Sequence, residues 1–105
     1  MNKPWAFNDL HGFKDFVVFV QLCAPNNFPV YEDEPPEYRW TFEKAFHDLR
    51  LGLDMAVEEK GAKPVFEQCK QLVDKAYQHY EAGEEDEGWY TLEEVHKLLK
   101  KVRTQ

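Results

Sequence analysis

The sequence predicts an all-α fold: a single four-helix domain with a long proline-rich loop between helices 1 and 2 and a C-terminal helical hairpin. Three observations carry this. Apolar residues recur at helical spacing in four segments. Gly61, Pro64 and Gly83 fall where those segments meet, as helix stops and starts require. The 105 residues, 43% hydrophobic and 15% aromatic, suffice for one hydrophobic core and are too few for two.

Helix 1 is capped by Asn8 or Asp9 and carries Leu10, Phe13, Phe16, Val17, Val20 and Cys23 on one side. Val18, Phe19 and Leu22 add a second apolar face, the mark of a central helix. The run Phe16 to Val20, aromatic and β-branched, also suits a short buried strand. The polar spacing around it and its length up to Pro25 favour the helix. Residues 24–40 hold four of the six prolines, so that connection is expected to be extended and ordered by packing of Phe28, Tyr31, Tyr38 or Trp40.

Helix 2 starts at the capping hydroxyl of Thr41 and runs to about Lys60, with Gly61 as its stop. Phe42, Ala45, Phe46, Leu49, Leu53, Ala56 and Val57 form its buried stripe. Gly52, which costs about 1 kcal/mol in a helix relative to alanine, implies close helix packing or a kink. Pro64 opens helix 3, whose inner face is Val65, Phe66, Cys69, Leu72, Val73, Ala76, Tyr77 and Tyr80. Helix 4 is expected from Thr91, where Thr91-x-x-Glu94 reads as a capping box. Leu92, Val95, Leu98, Leu99 and Val102 form its buried side, and Lys97, Lys100, Lys101 and Arg103 lie near its C-terminus.

Charge narrows the function classes. Twenty acidic residues against thirteen basic ones leave a net charge of −7. Such a surface disfavours nucleic acid and anionic membranes and favours basic partners or simply solubility. Cys23 and Cys69 lie within apolar helical patterns and read as buried free thiols. The N-terminal residues lack the basic and apolar regions of a signal peptide, and the run Phe16 to Val20 is far too short to span a bilayer, so the chain reads as cytoplasmic.

Gly83 to Glu94, GEEDEGWYTLEE, has the outline of half a calcium loop, with Gly88 at the sixth position and Glu94 at the twelfth. The first position is then Gly83, which offers no carboxylate, and Glu85 and Glu87 replace the shorter aspartates. A plain turn between two helices is the better reading, and no metal is expected. His11, His47, His79 and His96 are on separate helices, and no pair has the i, i+4 spacing of a helical zinc motif. The chain has no serine and no glycine-rich phosphate loop. Neither catalysis nor a cofactor is expected.

Binding remains, with two candidate surfaces. The first is the proline-stiffened acidic loop with Tyr31, Glu32, Asp33, Glu34, Glu37 and Tyr38, where carboxylates pair with Arg or Lys and aromatics serve as anchors. Its plainer reading is that the tyrosines pack on the protein's own helices while the charges are solvated. The second is the acidic tip with Glu84, Glu85, Asp86 and Glu87, beside Trp89 and Tyr90; here Trp89 is also suited to closing the hairpin over the core.

A small, acidic, serine-free helical domain with acidic aromatic patches resembles the immunity proteins of bacterial polymorphic toxin and contact-dependent inhibition systems. The resemblance is one of type and transfers no site residues. It implies a non-catalytic inhibitor that neutralises a basic toxin domain. The segment from Cys69 to Val102 also resembles one helix-turn-helix unit of the tetratricopeptide kind, through AYQHYEAG at Ala76 to Gly83, but no second copy appears at the expected spacing. The alternative is a self-associating structural or regulatory adaptor, so the chain is expected as a monomer or a homodimer.

Overall fold

A computed structural model describes residues 7, 9–28 and 40–102. They form four helices, α1 (Leu10–Cys23), α2 (Phe42–Lys60), α3 (Pro64–Glu81) and α4 (Glu85–Lys100). The described residues contain no strand. The run Phe16 to Val20 is helical, with Phe16, Val17 and Val20 fully buried.

Local chemistry sets most of the boundaries. Asp9 accepts the Gly12 N–H at 2.9 Å and Thr41 accepts the Lys44 N–H at 3.1 Å, each satisfying an amide that the first helical turn leaves unpaired. Gly61, with φ of 90°, ends α2, and Pro64 opens α3 after a three-residue connection. At the end of α3 the Glu84 N–H donates to the His79 carbonyl and the Gly83 N–H to the Tyr80 carbonyl. This Schellman arrangement needs the left-handed conformation that Gly83 adopts at φ 81°.

Cross-helix contacts fix the order as an antiparallel ring. Leu10 N–H donates to Glu59 across α1 and α2. Arg50 meets Asp74, and Lys70 meets Asp54, across α2 and α3. Lys14 Nζ donates to the Val102 carbonyl and Gln21 to Glu93, joining α1 to α4. Each helix packs its backbone closely on two neighbours, α1 on α2 and α4, and α3 on α2 and α4. This is an up-down-up-down bundle.

The core is one cluster running through all four helices, from Leu10 and Phe13 to Val95 and Leu99, with Phe28 and Trp40 at the edges of the α1–α2 connection. The stripes expected on α2, α3 and α4 are the ones that point inward. The second face of α1 is less buried than a central helix would have it: Val18 and Phe19 are half-buried and Leu22 is 70% exposed. Two glycines permit close helix approach. A Cβ at Gly52 would lie 2.0 Å from Phe13 Cε1, and one at Gly88 would lie 2.7 Å from the Tyr80 ring.

The start of α4 corrects the sequence reading. The helix begins at Glu85, six residues before Thr91, so Gly83 to Tyr90 is not a simple turn and only the segment around Ala82 to Glu84 reverses the chain. Thr91 is buried inside the helix, where its Oγ1 donates to the Glu87 carbonyl at 2.7 Å. Two effects outweigh the capping box. Glu85, Asp86 and Glu87 fill the first turn, where the positive end of the helix dipole favours carboxylates. Gly88 then seats that turn against the Tyr80 ring, with no side chain between them.

Candidate functional site

The antiparallel order brings particular ends together. The C-termini of α1 and α3 and the N-termini of α2 and α4 share one end of the bundle. That end carries Glu43, Glu81, Glu84, Glu85, Asp86 and Glu87. The opposite end gathers Lys60, Lys63 and Lys101 around an open cleft, beside the C-termini of α2 and α4 where the dipole favours cations. Carboxylates thus dominate one end, whereas the other mixes these lysines with Asp9, Glu58, Glu59 and Glu67.

Of the predicted site residues, Glu84, Glu85, Asp86 and Glu87 are all exposed at the acidic end. Glu84 contacts His79 Nδ1 at 2.8 Å, tying the hairpin turn to α3. Tyr31, Glu32, Asp33, Glu34, Glu37 and Tyr38 lie outside the described residues. The segment that contains them joins Phe28 to Trp40, both buried at this same end.

Two aromatic side chains complete the surface. Trp89 and Tyr90 are 38% and 67% exposed, and their rings meet edge to face at 5.1 Å and 88°. With Asp86 they line an open cleft of about 320 Å³. Trp89 therefore does not close the hairpin over the core; the Tyr80 ring against Gly88 does. Neither Trp89 nor Tyr90 stood among the predicted contact residues. Once α4 is extended back to Glu85, helical spacing places Trp89 at the edge of the Leu92, Val95 and Leu99 stripe and Tyr90 outside it.

The same extension changes the geometry of the calcium-loop outline. Residues 85–94 are all helical, and a helix spreads its side chains around the axis instead of wrapping them about an ion. Among the described residues no group of three or more His, Cys, Asp or Glu is placed to hold a metal ion. His11 and His47 are exposed on α1 and α2, His96 is half-buried on α4, and His79 is engaged with Glu84. No described helix is long and apolar enough to cross a membrane.

The thiols and phenols have shifted protonation. Burial pushes Cys69 up to about 11 and also raises Cys23, so both are protonated near neutrality. Cys69 is fully buried and Cys23 is half-buried, and neither forms a disulfide. Tyr80 is pushed up to about 12 by burial and then by the Glu85 charge. Among the described residues its hydroxyl has no hydrogen-bond partner. Tyr77 reaches about 12 chiefly because it donates to the Glu43 carboxylate.

An acid whose pKa is raised on folding holds its proton longer in the native state, so its stabilisation is complete below the ordinary pKa and is lost as pH rises through the folded one. Unfolding midpoints in urea are expected to be flat around pH 8 and to fall between pH 9 and 12, the window set by Cys69, Tyr77 and Tyr80. In the same preparation a thiol reagent at pH 8 should label Cys23 well before Cys69. Prompt labelling of Cys69 in the folded protein would contradict its burial.

Comparison with family models, with curated proteins and with solved structures finds no match to this chain.

Proposed function

We propose that this is a non-catalytic protein-binding domain that holds a basic partner at its acidic end, as an immunity-type inhibitor holds a toxin domain. The carrying observation is the exposed Trp89–Tyr90 pair set directly beside the carboxylates of Glu84 to Glu87. Carboxylates raise the encounter rate with a positive surface, and aromatic rings supply the desolvated anchor that charge alone does not. The net charge of −7 supports a basic partner, and the class-level resemblance to toxin-neutralising immunity proteins supports an inhibitory outcome in the cytoplasm. From the sequence reading alone, Tyr31, Glu32, Asp33, Glu34, Glu37 and Tyr38 are further proposed contact residues.

The test is capture of partners from the protein's own cell extract by tagged protein, at low and at high salt, followed by kinetics with the recovered partner. A stoichiometric basic protein released as salt rises is the expected result. Neutralising Glu85, Asp86 and Glu87 together, and separately Glu32, Asp33, Glu34 and Glu37, to the corresponding amides should each slow association by roughly tenfold at low salt and flatten its salt dependence. An unchanged association rate in both variants would sink the electrostatic assignment.

The exposure of Leu22, together with half-buried Val18 one turn before it, favours a second reading, self-association through α1. Light scattering decides that case: a monomer at micromolar concentration removes it.

A further inference from the structure

The bundle contains its own template for binding arginine. On α3, Asp74 and Tyr77 stand three residues apart on one face. The Arg50 guanidinium from α2 fills the space above them, with Nη2 3.2 Å and Nε 3.3 Å from Asp74 Oδ1 and Cζ 5.4 Å from the Tyr77 ring centre. One carboxylate pairs with the guanidinium edge while the ring takes its face, and a planar, delocalised cation satisfies both at once.

On α4 the same spacing recurs. Asp86 and Trp89 are three residues apart, and Tyr90 follows at i+4 on the same face. Trp89 offers the aromatic face that attracts cations best, Tyr90 stands perpendicular to it as a second wall, and the cleft between the three side chains opens to solvent. Among the described residues no cation lies over either ring or pairs with Asp86. Glu85 and Glu87 flank Asp86 in sequence and add negative potential.

We infer that the Asp86, Trp89 and Tyr90 corner is a receptor for an arginine side chain on the surface of the basic partner. The inference rests on the acidic-end reading and names the chemistry of the contact. A second copy of this chain is the poorer occupant, because a protein of net charge −7 would bring like charge to an acidic surface. Arginine is favoured over lysine because the site asks for carboxylate pairing and ring stacking from one group, which a compact ammonium cannot provide together.

Blocked hexa-arginine and hexa-lysine peptides carry equal charge and separate the two levels of the proposal. Titrated into nitrogen-15-labelled protein, hexa-arginine should move the Trp89 indole N–H signal and bind at least about threefold more tightly than hexa-lysine, a difference within the range of one partly desolvated cation–π contact. Asp86→Asn and Trp89→Ala, both on the exposed surface, should each erase that preference while circular dichroism shows the fold intact. Equal affinity for the two peptides with the Trp89 signal unmoved would overturn the arginine receptor and leave the acidic-end reading standing. Failure of both peptides to bind at low salt would overturn both. A Trp89 signal that shifts on dilution without peptide would mean that a second copy covers the corner, which also overturns it.

Discussion

Replacing Phe46 by alanine is expected to lower the stability of the domain by about 3–5 kcal/mol. Phe46 is fully buried on α2 and packs against Phe42, Tyr77 and Tyr80, with ring centres 4.9, 5.5 and 6.0 Å away. Truncation removes the ring's transfer free energy and leaves a space that these three aromatic neighbours cannot close without leaving their rotamers. For a domain of this size that is a large share of a total of about 5–15 kcal/mol. Urea denaturation should show a lower midpoint with an unchanged slope, and Phe46→Leu should lose less because it keeps most of the volume. A midpoint unmoved by the alanine substitution would show that the α2–α3 seam is not packed as described. The consequence reaches function, because Tyr80 on that seam is the ring on which Gly88 and the first turn of α4 rest.

Gly52→Ala should also destabilise, against the direction that helix propensity gives. Alanine is the better helix former by about 1 kcal/mol, so propensity alone expects a gain. At this position the new methyl would sit 2.0 Å from Phe13 Cε1 and 2.2 Å from Cδ1, about half the distance at which carbon atoms pack. Phe13 is fully buried and touches Phe7 and Phe16, so its ring has no open space to enter. Overpacking of this kind costs about 1–3 kcal/mol or more, which outweighs the propensity gain. Thermal melts should fall by several degrees. In a Phe13→Leu background the same substitution should cost less, because the smaller side chain yields room. A double-mutant cycle that returned strict additivity would mean that Gly52 and Phe13 are not in contact.

Gly52 also shows what can be read from a chain and what cannot. That a glycine interrupts the α2 stripe and implies close approach is visible in the sequence; that the approaching group is Phe13, 39 positions earlier, is not. The candidate site divides the same way. Glu84 to Glu87 stand out as an acidic tip in any reading, but the capping signal at Thr91 puts Trp89 and Tyr90 on the wrong side of a helix start. Thr91-x-x-Glu94 satisfies every local condition for a cap, and nothing within a few residues of it reveals that Tyr80 will take Gly88 as its seat.

The sequence by itself determined the all-α class, the four apolar stripes, a cap at Asn8 or Asp9, the cap at Thr41, and the stops at Gly61 and Gly83. Each depends on residues no more than about one or two helical turns apart, so each is written in a short window. Only the tertiary structure decided where α4 begins, that the acidic ends of α2, α3 and α4 meet, and that Asp86 with Trp89 repeats the arrangement by which Asp74 and Tyr77 hold Arg50. Those outcomes follow from which side chains interlock between helices distant in sequence, and shape complementarity of that kind leaves no periodic or capping signal in the chain.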